Sequence, residues 1–206
     1  MRTSRLEAFS DGVLAIIITI MVLELKVPHG DTLADLRDTT GVSFLTYLLS
    51  FVYIGIYWNN HHHMFQLTER VTATVLWANL HLLFWLSLYP FTTAWMDESE
   101  LARVPTTVYG VNLLAAAIAY YVLQQRILAS EGDDGPLRRA VGRDLKGKLS
   151  PVLYTAGIIA ALLGGEDNPA ATKVAIAFFV AVAVIWLVPD QRIERTIKEY
   201  GTPVED

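Results

Sequence analysis

The sequence contains no cysteine. That absence excludes disulfides, iron–sulfur clusters, thiolate metal sites and cysteine nucleophiles together. Charge is scarce as well: Asp, Glu, Lys and Arg make up 18% of the 206 residues, against about 25% in an ordinary soluble domain. The net charge of −5 is modest and most acidic residues fall in short polar segments, so no basic stripe suited to nucleic acid appears. Neither Gly-x-Ser-x-Gly nor His-Glu-x-x-His occurs, and with them go the commonest signatures of hydrolytic sites. No enzyme activity and no cofactor are expected.

Long apolar runs dominate instead. Hydrophobic residues are 53% of the chain and are bunched into stretches near the 20 or so residues that a bilayer core requires. The runs predict an all-α integral membrane protein of six helices, at about 6–27, 42–65, 71–96, 106–128, 149–163 and 170–188, forming one transmembrane domain over 1–206. Helix 1 should stop at Pro28, helix 5 at Gly164-Gly165 and helix 6 at Pro189, while Pro90 lies inside helix 3. No small-residue cleavage site follows the N-terminal segment, so helix 1 is read as retained. With the N-terminus inside, only Lys26, Arg37, Arg103 and Lys173 of the 16 basic residues lie outside. The inner set includes Arg2, Arg5, Arg70, Arg126 and the run Arg138, Arg139, Arg143, Lys146 and Lys148, with Arg192, Arg195 and Lys198 beyond helix 6. That asymmetry predicts both termini in the cytoplasm, and a chain without targeting motifs fits a bacterial inner membrane. Asp31, Asp35, Asp38, Asp97, Glu98, Glu100, Glu166 and Asp167 then face outward. They are either solvated loops or an acidic rim that concentrates cations.

The most informative residues open helix 1: Arg5-Leu-Glu-Ala-Phe9-Ser10-Asp11-Gly12, followed by an apolar stretch interrupted by Thr19. Ionisable groups where a helix enters lipid require water, a partner or the protein interior. Arg5 and Asp11 are six apart and do not pair along one helix, where neighbours are three or four apart. They are either interfacial anchors or members of a buried polar network. Trp58, His61, His62 and His63 end helix 2 at the same depth. Successive helical residues point about 100° apart, so the three histidines do not converge on a metal, and none is expected. The network is expected to join Arg5, Ser10 and Asp11 to Trp58 and to one or two of the histidines, His61 and His62. His81, deeper in helix 3, is expected in a core hydrogen bond.

Arg5-x-x-x-Phe9-Ser10-Asp11 resembles the signature of the endosomal and lysosomal potassium channel family and its bacterial six-helix homologues. Tyr47-x-x-Ser50-Phe51 through Trp58-x-x-His61-His62-x-x-Phe65 is similar to that family's second helix, and Pro90-Phe91-x-Thr93 to the end of its third. The resemblance implies a potassium channel built as a homotetramer around a pore lined by helix 1, since single-repeat members form tetramers and two-repeat animal forms dimers. It also places the constrictions at Ile16, Ile20 and Leu23.

By spacing alone, Ile16, Thr19, Ile20 and Leu23 fall at i, i+3, i+4 and i+7, one stripe of a helix. Such a stripe faces lipid, the bundle core or, around a symmetry axis, a passage about 10 Å long from Ile16 to Leu23. A narrow apolar passage blocks ions by dewetting. Thr19 is its one hydroxyl, free either to help a dehydrating cation or to bond back to its own helix. The Thr-Val-Gly-Tyr-Gly filter of ordinary potassium channels is missing. The preference for potassium over sodium that the resemblance implies is therefore expected to be moderate, an apolar constriction permitting it through the easier dehydration of the larger ion. The expected partners are potassium ions, membrane lipid and three further copies of the chain. The rival reading is a secondary transporter or proton-coupled carrier, against which stands the lack of paired interrupted helices or a charged midplane site.

Overall fold

The computed structural model describes residues 3–68, 70–131, 137–138, 145–164 and 169–187. Helices α1 (Thr3–Leu23), α2 (Leu33–Gln66), α3 (Ala73–Ser87), α4 (Tyr89–Glu98), α5 (Arg103–Glu131), α6 (Leu145–Leu163) and α7 (Pro169–Leu187) make up the fold. No strand occurs among the described residues. Four of the seven, α1, α2, α5 and α7, are each long and apolar enough to cross a membrane. Arg2, Arg139, Arg143, Gly165, Glu166, Asp167, Pro189, Arg192, Arg195 and Lys198 lie outside the described residues, and with them the expected stops after helices 5 and 6.

The expected helix 4 runs from Arg103 to Glu131 and the expected helix 5 begins at Leu145, each a few residues longer than the sequence reading; three other differences from that reading have a local reason. α1 ends at Leu23 rather than Val27. Pro28 disfavours helical backbone at Val27, and the last carbonyls are closed by short-range bonds, Glu24 N–H to Met21 O and Leu25 N–H to Val22 O, both 3.3 Å. α2 begins at Leu33, nine residues before Val42, because Thr32 and Asp35 form a capping box: Asp35 N–H donates to Thr32 Oγ1 at 3.2 Å and Thr32 N–H to Asp35 Oδ2 at 3.1 Å. Such a pair satisfies two orphan donors of the first turn. The single expected helix 3 is two helices divided at Leu88. Pro90 has no N–H to donate and its ring would strike the carbonyl of Leu86, so it opens α4 rather than continuing α3.

α1 packs against α2, α3 and α4, while α5, α6 and α7 form a second set joined to the first mainly through α3–α5. A cluster of buried tyrosines, Tyr53, Tyr57, Tyr89, Tyr109 and Tyr154, binds the two sets together, with ring centroids 6.2–6.5 Å apart in most pairs. An unpaired hydroxyl is costly away from water; Tyr53 and Tyr109 find partners, whereas Tyr89 Oη has none among the described residues. Tyr53 donates to Phe179 O at 2.5 Å, and Ser50 bridges Tyr109 at 3.0 Å and Thr93 at 2.7 Å. Around Phe179 the helices approach too closely for side chains: a Cβ on Gly110 would lie 2.5 Å from the ring and one on Gly157 2.6 Å. Glycine at those two positions is what lets α5, α6 and α7 share one aromatic plug.

Candidate functional site

α1 has two unlike faces. Leu6, Ser10, Leu14, Ile17 and Met21 recur at intervals of three and four and are all buried against the bundle. The opposite side is uncovered: Ile16 is 59% exposed, Ile20 42% and Leu23 79%, and Thr19 is exposed with them. The sequence-predicted stripe is thus the face of α1 that the rest of its own chain does not use. Thr19 Oγ1 donates to Ile16 O at 2.9 Å, the back-bonded alternative.

At the N-terminal end of α1 the C-terminal half of α2 and the first half of α3 bring polar side chains together. Ser10, fully buried, donates its hydroxyl to Leu6 O at 2.9 Å. It can therefore only accept from its next neighbour, the Asn79 amide nitrogen at 2.9 Å. That fixes the Asn79 carbonyl oxygen toward His61 Nε2, 2.8 Å away. A carbonyl accepts and never donates, so Nε2 carries the proton of His61, leaving Nδ1 bare, buried and without a partner among the described residues. One asparagine thus ties α1 to α2 through α3. Nearer the rim, Trp58 Nε1–H donates to Asp11 Oδ1 at 3.1 Å, and the Trp58 ring lies parallel to His62 within 15°. His62 Nδ1 meets Glu7 Oε1 at 2.6 Å while its Nε2 faces Gln66 at 2.8 Å.

Of the residues singled out in the sequence, Ser10, Asp11, Trp58, His61 and His62 sit in this cluster, in two branches rather than one network. Arg5 and Phe9 stand apart. Both are exposed, spaced i and i+4 on the outward face of α1, and Arg5 makes no ion pair among the described residues. Its expected place in the network is therefore corrected: within the chain, Glu7 on the neighbouring face pairs with His62 instead. His81 is corrected too, being exposed and accepting from Trp85 Nε1 on its own helix at 3.0 Å. Sequence reasoning missed Glu7, Gln66 and above all Asn79. The signal for Asn79 was a lone amide in the apolar run Val75 to Leu86, which in a membrane helix demands a partner.

Asp11→Asn keeps a carbonyl acceptor for Trp58 and is therefore expected to change stability by less than about 1 kcal/mol. Thermal melting in detergent checks this, with Asp11→Leu as the variant that loses the bond.

A potassium channel of Chryseobacterium sp. (strain P1-3) is 49% identical over 199 residues, covering 97% of this chain and 100% of that one. The chain belongs to the TMEM175 family. Residues 5–90 match the family model described as endosomal/lysosomal potassium channel TMEM175, a span holding every member of the polar cluster. The crystal structure of a lysosomal potassium-selective channel TMEM175 homologue from Chamaesiphon minutus superposes with a TM-score of 0.72 at 29% identity, over 90% of this chain and 96% of that one. The endosomal/lysosomal proton channel TMEM175 of Bos taurus is 30% identical over 161 residues, which are 68% of this chain and 33% of that longer protein. The TMEM175 match thus spans the helix with the free apolar face and the cluster that anchors it.

Proposed function

We propose that the protein is a potassium-permeable channel of a bacterial inner membrane. Four copies would set their α1 helices around a common axis, with Ile16, Ile20 and Leu23 as stacked apolar rings and Thr19 between them. The observation that carries this reading is the pairing of faces on α1: one side fully engaged by Leu6, Ser10, Leu14, Ile17 and Met21, the other bare and apolar. The bonds of Ser10 to Asn79 and of Asp11 to Trp58 hold α1 in one rotation against its neighbours, which supports a role in which the bare face must keep its orientation. The relatives named potassium channel, one similar along its whole length, support the choice of ion. In this reading the α3–α4 pair and α6 complete six crossings with both termini in the cytoplasm. An apolar constriction then favours potassium moderately by its lower dehydration cost.

The test is the reversal potential of purified protein in a planar bilayer with potassium on one side and sodium on the other. Single-channel currents reversing toward the potassium potential are expected. Ile20→Ala, by removing one apolar ring, should raise conductance by about twofold or more and weaken selectivity. Macroscopic exchange without channel currents would favour the carrier reading. The animal relatives named proton channels supply a specific second reading: a reversal potential that follows the pH gradient and ignores potassium would select it.

A further inference from the structure

Between α2 and the second set of helices lies a cavity that the channel reading leaves unused. Its described lining comes from α2, α5, α6 and α7 and includes nothing of α1. Aromatic side chains supply most of its walls: Tyr53 and Tyr57 of α2, Tyr120 and Tyr121 of α5, Tyr154 of α6 and Trp186 of α7. The rings stand at angles to one another, as the sides of a box do. Tyr53 and Tyr154 are inclined by 47° with centroids 6.2 Å apart, and Tyr57 and Tyr120 by 62° at 6.0 Å. Tyr121 is 55% exposed, so the box has a mouth on its side. The volume is ≈ 50 Å³. That is room for about four waters at about 10–15 Å³ each, or for a ligand group of about four heavy atoms.

Several polar groups around this space are committed elsewhere. Tyr53 Oη donates to Phe179 O at 2.5 Å and Tyr120 Oη to Asn60 O at 3.3 Å. Trp186 Nε1 donates to the Ser150 hydroxyl at 2.8 Å, which in turn donates to Lys146 O at 2.8 Å. What these rings have left for an occupant is carbon and π-electron density. Gln124 is different. It lines the cavity, is 8% exposed, and its side-chain amide has no hydrogen-bond partner among the described residues. A buried amide left so is costly unless an occupant meets it. No Asp, Glu, Lys or Arg is among the described lining residues.

The faces of Tyr and Trp attract cations, and aromatic cages are a recurring answer to quaternary ammonium groups. A primary ammonium would bring three N–H donors into a space with no carboxylate to receive them. A fully methylated ammonium brings none. We propose that this box binds the trimethylammonium group of a choline-type cation, with the Gln124 amide meeting the ligand's own oxygen. Trimethylammonium has the size of the cavity, and the rest of the ligand leaves through the mouth beside Tyr121. Once bound, it ties α2 to α5, α6 and α7. Free choline and the headgroup of phosphatidylcholine share this chemistry.

Melting of the purified full-length chain in maltoside detergent, with choline chloride titrated at constant ionic strength against sodium chloride, tests it. The native chain should gain about 3–6 °C at about 10 mM choline, with half-saturation at about 1 mM. Neohexyl alcohol, which is choline with carbon in place of nitrogen, should need about tenfold more. Trp186→Leu should weaken choline about tenfold and Trp186→Phe about threefold. Gln124→Leu should weaken choline about threefold while tetramethylammonium, which has no oxygen, binds as before. No shift at about 20 mM choline, or equal half-saturation for choline and its neutral analogue, overturns the proposal. Where Trp186→Leu fails to purify, Tyr121→Leu at the exposed mouth replaces it, with about a twofold loss expected. The comparison with the neutral analogue needs no variant at all. Lipid nanodiscs separate the two sources. A response to free choline in phosphatidylglycerol discs that vanishes in phosphatidylcholine discs assigns the site to the headgroup, and equal responses assign it to free choline; both support the site, and no response in either overturns it. Binding requires neither current nor orientation. A chain that binds but does not conduct would sink the channel reading alone, and one that conducts but does not bind would sink this site alone.

Discussion

Asn79→Leu is expected to lower the stability of the chain by about 3 kcal/mol, read as a fall of about 6–12 °C in melting temperature. Asn79 is fully buried and makes both the bond to Ser10 on α1 and the bond to His61 on α2. Leucine fills the volume but leaves the Nε2–H of His61 with no acceptor, on a ring whose other nitrogen already lacks a partner. Stranded donors in a low-dielectric interior cost their full desolvation. The double variant Asn79→Leu, His61→Leu should recover part of the loss, because removing both partners strands fewer groups. A single-variant change under about 1 kcal/mol would show that the amide is not the tie between the helices.

The second large effect falls on the other side of the bundle. Gly157→Leu is expected to cost about 3 kcal/mol or more. Even a Cβ there would sit 2.6 Å from the Phe179 ring and 3.1 Å from Ala175 O, a backbone atom that cannot swing aside. The ring itself is boxed in by Tyr109 and Tyr154, with centroids 6.0 and 6.4 Å away. Protein that survives the substitution should keep the native reversal potential, because Gly157 touches neither α1 nor the Asn79 cluster. A normal melting temperature, or altered selectivity, would contradict that division of labour.

The sequence made the helices legible because twenty-residue apolar runs have few other uses, and it made α1 legible because charge and serine precede such a run without an evident reason. Less visible were features that depend on which neighbour a side chain finds. Thr32 and Asp35 read as loop residues from the sequence, whereas their capping box extends α2 by about two and a half turns. Pro90 was noticed inside a helix, yet whether it kinks or divides the helix depends on what can replace the lost bond, and here Leu88 starts afresh. The polar cluster was anticipated from shared depth, but depth does not give azimuth. Arg5 and Ser10 are five residues apart and point to opposite sides of α1, so one is buried and the other left to solvent, lipid or another chain. Asn79 was overlooked because a single amide among leucines and tryptophans carries no motif.

Among the described residues, the side-chain hydrogen bonds that α1 makes to other helices or to the segment after α2 come from Thr3, Glu7, Ser10 and Asp11, and beyond Asp11 its contacts are apolar. Mechanically, α1 is a cantilever clamped at one end. Apolar packing resists separation but has no preferred direction, so it allows sliding that hydrogen bonds forbid. From Ser10 to Leu23 the arm is about 20 Å long at the helical rise. A swing of about 5° about the clamp therefore moves Leu23 sideways by about 1.7 Å and Ile16 by about 0.8 Å, from the same rise per residue. Any load applied at the free tip, beside Glu24, has the greatest leverage over how far that arm turns.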